Sequence, residues 1–169
     1  GFLKQYSRDV LRFRSSGGIE RSRARSFRDF IYIYENYDLF YMTDNDTIHD
    51  PNFLKVLRNL YSTSSEKFEK KLPIGLYNSI FHQNPKNIIF ENNVLSVRKT
   101  CPGVSQCFDR DMVKKMIDFI NKNPVYETLY GFDYHWPASL GVPFLQTQTS
   151  YLEHFARDKT EKGIHSSYT

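Results

Sequence analysis

The stretch Phe40–Phe53, FYMTDNDTIHDPNF, decides how the rest of the chain is read. An apolar run, Asp38–Met42 (DLFYM), stops at Thr43, and Asp44, Asn45 and Asp46 follow directly. Apolar residues on consecutive positions predict a strand covered on both faces, as in a parallel sheet. Asp50-Pro51 predicts the start of a helix, with Asp50 as N-cap and Pro51 at the first helical position. Phe53, Leu57, Leu60 and Tyr61 form its buried face. Two carboxylates therefore stand just past the C-terminal end of a strand, where open α/β sheets bind their ligands. They repel each other unless something positive joins them, and a divalent cation with oxygen ligands is the natural partner. An EF-hand is excluded, because Ile48 and His49 fall where that loop needs an oxygen ligand and a glycine. A turn rich in Asp and Asn that ends in a helix cap explains Asp50 well and the Asp44–Asp46 pair less well. Both readings, cation site and turn, stay open on the residues alone.

Working outward, Val10–Phe13 (VLRF) predicts a strand, broken by Ser15-Ser16-Gly17-Gly18. From Ile19 to about Tyr34, residues Ile19, Phe27, Phe30, Ile31 and Tyr34 share one helical face, and Arg21, Arg25 and Arg28 share another. Arg12, Arg14, Arg21, Arg23, Arg25 and Arg28 crowd this region. Such a cluster fits an anionic partner, nucleic acid or phosphate, and equally a solvated helix face. Ser62–Lys71 (STSSEKFEKK) is polar and charged and predicts a surface loop. Pro73–Tyr77 predicts a strand, and Asn87–Lys99 predicts two strands around a Glu-Asn-Asn turn. Asp109–Ile120 predicts a helix with Met112, Val113, Met116, Ile117 and Ile120 apolar. Val142–Gln148 (VPFLQTQ) predicts a last strand. Strands alternating with helices and followed by strand pairs indicate an α/β fold.

The 169 residues suit one domain, 1–169, with a real core. Hydrophobic residues at 40% and aromatics at 16% exclude a disordered chain. No apolar run approaches the roughly 20 residues of a membrane helix. The net charge of +4 is modest. Cys101 and Cys107, in CPGVSQC, form no CxxC pair, which speaks against zinc or thioredoxin chemistry and for free thiols. No initiator Met and no signal-like start precede Phe2, Leu3 and Tyr6, which already fall on one helix face. The expectation is a chain that is a fragment or lacks its true start.

Four segments carry a family resemblance. Tyr37–Asp46 (YDLFYMTDND) resembles the strand and Asp-X-Asp motif of GT-A fold glycosyltransferases. Ser15–Phe27 (SSGGIERSRARSF) resembles the segment before it, where a strand ends and an Arg-bearing helix follows. Gly131–Trp136 (GFDYHW) resembles the later acidic motif that carries the catalytic base of inverting, family-2-like members, with Phe132 where that motif usually has a second acid. Thr149–Ala156 (TSYLEHFA) resembles the strand end whose His completes a metal site. The order holds from about Val10 to Ser167, and the family's first, base-holding strand is not in the chain. Relatives include virus-encoded domains that decorate capsid protein.

The resemblance implies a GT-A (Rossmann-like) fold with a mixed, mostly parallel sheet flanked by helices. It implies a metal-dependent enzyme moving a sugar from a UDP-sugar donor to a hydroxyl of a glycan or glycoprotein acceptor, with inversion. Asp44, Asp46 and His154 would hold Mn²⁺ (or Mg²⁺). Arg21, Arg25, Asp44, Asn45 and Trp136 would contact the nucleotide sugar, Trp136 by offering an apolar face. Asp133 would take the acceptor's proton. Two rivals stand beside it. A nucleotidyltransferase would want a Gly-rich phosphate loop with Lys near the N-terminus, and none is visible. A nucleic-acid module on the Arg-rich helix is opposed by the interspersed Glu20 and Asp29, so no nucleic-acid partner is expected. Asn45-Asp46-Thr47 is an N-x-[ST] sequon, and a glycan there would crowd the metal. This favours a cytoplasmic location, the host cytoplasm for a viral protein.

Overall fold

The computed structural model describes residues 18–68, 70–79, 83–129 and 131–155. The expected strand Val10–Phe13, with Arg12 and Arg14, lies outside them. Helix α1 spans Ile19–Tyr32, followed by strands β1 (Leu39–Thr43) and β2 (Thr47–His49) and helix α2 (Phe53–Phe68). Strands β3 (Ile74–Gly75), β4 (Ile88–Glu91), β5 (Leu95–Arg98) and β6 (Ser105–Asp109) lead to helix α3 (Arg110–Lys122). A 3₁₀ turn at Pro124–Glu127, helix α4 (Phe132–Ala138), β7 (Phe144–Thr147) and β8 (Leu152–His154) complete the order.

Six strands form one sheet in the order β1-β6-β3-β7-β5-β4, and β2 pairs with β8 in a separate ribbon. Only β3 and β7 run parallel; the β1–β6, β3–β6, β5–β7 and β4–β5 pairs are antiparallel. The fold is α/β with a mixed sheet flanked by helices, but the expected mostly parallel sheet is corrected to a mostly antiparallel one. The physical reason lies in β1. Its apolar residues run consecutively because both faces are covered, and that cover does not require parallel neighbours. Phe40 packs under Phe27 and Phe30 of α1, with ring centroids 5.1 and 5.4 Å away. Leu39 and Tyr41 point the other way, toward the core that holds Leu57 of α2. Among the described residues β1 is nonetheless an edge strand, bonded within this sheet to β6 alone.

Alternation along each strand divides the core into two layers. One side carries Phe27, Phe30, Phe108, Met116, Trp136 and Phe144 beneath α1, α3 and α4. The other carries Ile74, Val97, Cys107 and Leu145 against α2. Both cysteines are buried, and no disulfide joins them. Helix α2 runs through Ser62–Phe68, where a loop was expected. Ser64 is fully buried there, its hydroxyl turned back onto the carbonyl of Tyr61 at 2.9 Å, which removes the polar cost that made the segment look exposed. Asp50 accepts from the amide of Asn52 at 2.7 Å, one turn ahead of the regular helix. No helix among the described residues is long and apolar enough to cross a membrane.

Strands β1, β3 and β7 all point the same way, since β1 and β3 both run antiparallel to β6 and β7 runs parallel to β3. Their C-terminal ends therefore share one end of the sheet. Asp44 follows β1 there, and the β7–β8 connection brings His154 to the same place.

Candidate metal centre

Asp44 continues the line of β1 by one step, its amide donating to the carbonyl of Val104 at 3.3 Å. The chain then turns through Asn45 and Asp46 into β2. In the β2–β8 ribbon Thr47 stands opposite His154, and the amide of Phe155 donates to the carbonyl of Asp46 at 2.8 Å. This register places the His154 ring beside both carboxylates. Its Nε2 lies 3.2 Å from Asp46 Oδ1 and 3.9 Å from Asp44 Oδ2. One donor atom from each of the three side chains falls within 4.8 Å of the others. The His154 side chain is 10% exposed, against 33% for Asp44 and 41% for Asp46, so the imidazole forms the floor and the carboxylates the rim. The ring of Tyr77 closes the floor edge-on, with centroids 6.0 Å apart.

Asp44 is shared. Its Oδ1 accepts from Arg23 Nη2 at 2.9 Å, leaving Oδ2 on the His154 side. Arg23 is itself laid over the ring of Phe132, 3.6 Å from its centroid. Thr47 donates its hydroxyl to the carbonyl of Asp44 at 2.8 Å and fixes the turn from below. The group opens into a cleft of about 620 Å³ between α1 and β1, with Ser22, Arg23 and Ser26 on one wall.

Two carboxylates and an imidazole form a donor set that a divalent cation accepts. Asp44, Asp46 and His154 would supply three donors to such an ion. The two carboxylates outnumber the single guanidinium of Arg23 beside them. A divalent ion held there would add positive charge and turn the cleft toward anionic ligands.

Of the residues expected at the site, Asp44, Asp46 and His154 come together, and Asn45 lines the cleft. Arg21 is exposed and Arg25 half-buried, and neither lines the cleft. The arginine that does is Arg23. The signal for it was available: Arg23, Phe27 and Phe30 stand at i, i+4 and i+7, which puts this arginine inside the apolar stripe of α1. Arg21, Arg25 and Arg28 sit on the far side, and Arg28 pairs with Glu127 and Asn121. Trp136 offers no face to a sugar. It is fully buried against Phe27 and Phe132, and its indole N–H donates to the carbonyl of Tyr126 at 3.1 Å. A large ring at the meeting of α1, α3 and α4 is worth more in the core than at the surface. Asp133 lies in α4 next to Phe132, the residue whose ring carries Arg23; its side chain lies outside the described atoms.

No protein-family model matches the sequence, and no curated protein matches it. Among solved structures, the crystal structure of A197 from STIV matches with a TM-score of 0.58 at 18% identity, over 91% of this chain and 76% of that one. At that identity the likeness is one of fold, and it extends over nearly the whole α/β architecture described above.

Proposed function

We propose that the protein is a GT-A fold, metal-dependent glycosyltransferase that moves a sugar from a UDP-sugar to a hydroxyl of a glycan or glycoprotein, with inversion. The observation that carries the reading is the convergence of Asp44, Asp46 and His154 within 4.8 Å, beside Arg23, at the mouth of the cleft. Mn²⁺ fits the mixed oxygen and nitrogen donor set better than Mg²⁺, which favours oxygen alone. When bound, the ion neutralises charge that grows on the diphosphate as it leaves. Arg23 supplies a second positive group at the same wall, restrained by Phe132 so that little motion is lost when a phosphate oxygen arrives. Asn45, exposed in the turn between the two carboxylates, is within reach of the donor. Asp133 takes the proton from the acceptor hydroxyl as its oxygen bonds to the anomeric carbon, while the bond to the diphosphate breaks and its electron pair leaves with UDP. The sequon at Asn45 keeps the reading on the cytoplasmic side, where no glycan would cover the metal.

A thermal-shift panel of nucleotide sugars, with and without Mn²⁺, tests this. A UDP-sugar should stabilise the protein only when the metal is present. At about 100 times its dissociation constant a ligand adds roughly 2.7 kcal/mol, which moves the midpoint by several degrees. Stabilisation by DNA or RNA, with none by any nucleotide sugar, would overturn it.

A further inference from the structure

The loop that carries both carboxylates joins two strands that share no backbone hydrogen bond. β1 pairs with β6, and β2 pairs with β8. Side chains bridge them instead. Thr43 and Thr47 join hydroxyl to hydroxyl at 3.0 Å. Tyr41 Oη meets His49 Nε2 at 2.9 Å. These two rungs lie symmetrically about Asn45, two and four residues to either side. They form a ladder of side chains where a hairpin would have a ladder of backbone bonds.

The outer rung is anchored in the sheet. Tyr41 Oη also lies 3.0 Å from Ser105 Oγ in β6, which in turn accepts from the amide of Leu76 at 3.3 Å. One assignment lets each hydroxyl donate once and accept once: Leu76 N–H to Ser105, Ser105 to Tyr41, and Tyr41 to His49. It requires an unprotonated Nε2 on His49, and burial lowers the pKa of that ring. The inner rung has a direction too. Thr47 spends its proton on the carbonyl of Asp44, so Thr43 is the donor to Thr47.

We infer that Tyr41 and His49, together with the Thr43–Thr47 pair, are positioning residues that hold the Asp44–Asp46 loop ready for its cation. The inference rests on the cation reading of that site. Two carboxylates held close without an ion repel, and a loop free to widen would have to be gathered again on every binding event. The rungs remove that cost by tying together the two strands that flank the loop. His49 is also the last residue of β2, whose pairing with β8 sets His154, so the same bridge fixes the third donor relative to the first two.

Calorimetric titration of Mn²⁺ alone into the full chain, beside metal-free melting curves, separates positioning from plain structural support. Tyr41→Phe, which removes one hydroxyl and keeps the ring, should measurably weaken Mn²⁺ binding by loosening the loop that carries two of the ligands. His49→Ala should do the same. His49→Gln, whose amide can stand where Nε2 stood, should recover most of the affinity. Thr47→Val provides an independent variant on the inner rung and should also weaken binding. If the wild type binds Mn²⁺ and Tyr41→Phe, His49→Ala and Thr47→Val bind it equally well, the positioning role is wrong and the cation site stands, whatever the melting curves show. Losses that His49→Gln does not reverse would also overturn it. If the wild type itself takes up no Mn²⁺, the cation reading fails and takes this inference with it.

Discussion

The chain contains two Asp-X-Asp triplets, each at the end of a strand, and they have opposite fates. Asp44-Asn45-Asp46 follows β1, and Asp109-Arg110-Asp111 ends β6, its antiparallel neighbour. Because Leu39 pairs with Asp109 and Thr43 with Ser105, the triplets sit at opposite ends of the same strand pair. Asp109 is consumed locally. It caps α3, accepting from the amide of Met112 at 2.7 Å, and its other oxygen faces Tyr61 Oη at 3.4 Å and Lys71 at 3.9 Å. Asp111 is exposed in the first turn of that helix, where a negative charge suits the dipole. The cleft beside them is lined by Lys70, Lys71 and Lys115, a poor place for a cation. At Asp44–Asp46 no helix comes directly after, so no amides are waiting to be capped. Both side chains turn instead toward His154. The element after each triplet decides its use: an amphipathic helix spends the carboxylates on its own amides, and a short strand leaves them for a ligand.

The largest expected effect concerns a carboxylate in neither triplet, and it sharpens the contrast by separating proton transfer from cation binding. Asp133→Asn should lower sugar transfer by about 10²–10⁴-fold while metal-dependent donor affinity stays as in the wild type. Steady-state rates with saturating acceptor, beside calorimetric donor affinity, check it. Near-normal transfer would place the base elsewhere or make the reaction retaining, and NMR of the product anomer would tell these apart.

Next comes the contrast itself. Asp46→Ala should weaken Mn²⁺ by more than the roughly 10–100-fold that an outer partner is worth, without unfolding the domain, since it relieves repulsion with Asp44. Asp111→Ala should leave Mn²⁺ affinity unchanged. Equal losses in both variants would erase the distinction between the triplets.

Asp109→Ala should show the reverse pattern. Loss of the cap costs about 1–2 kcal/mol, lowering the melting midpoint by roughly 2–8 °C, with donor affinity unaffected. The smallest effect is expected at His49. Its folded pKa lies below the unfolded value, so the unfolded chain takes up the proton first. Stability from neutral His49 is complete above the unfolded pKa, near 6.5, and falls away as the pH drops toward the folded value. His49→Gln should flatten that part of the stability curve, as read by denaturant midpoints at a series of pH values.

Much of the fold could be read from local pattern. The amphipathic stripes of α1, α2 and α3, the β4–β5 hairpin and β7 all lie near their expected positions because periodicity and turn chemistry are local properties. Strand direction was not legible, since DLFYM reads the same beside a parallel or an antiparallel neighbour. β6 went unread because Ser105 and Gln106 look like surface residues. Both are fully buried, and Gln106 is accommodated by donating to the carbonyl of Cys101 at 3.0 Å. At the site, the carboxylate pair stood out because its spacing is local. The partners that complete it depend on tertiary contacts: the β2–β8 register brings in His154, and the phase of α1 selects Arg23 over Arg21 and Arg25. Trp136 was misplaced for the same reason, because one aromatic in a short helix does not reveal which way it faces.

The most direct measurement is the position of Mn²⁺ in crystals of the full chain, located by its anomalous scattering. We expect a single strong peak bounded by Asp44 Oδ2, Asp46 Oδ1 and His154 Nε2, absent from crystals of Asp46→Ala. A peak at Asp109–Asp111 instead, or none at the Asp44–Asp46 loop under saturating Mn²⁺, would contradict the account.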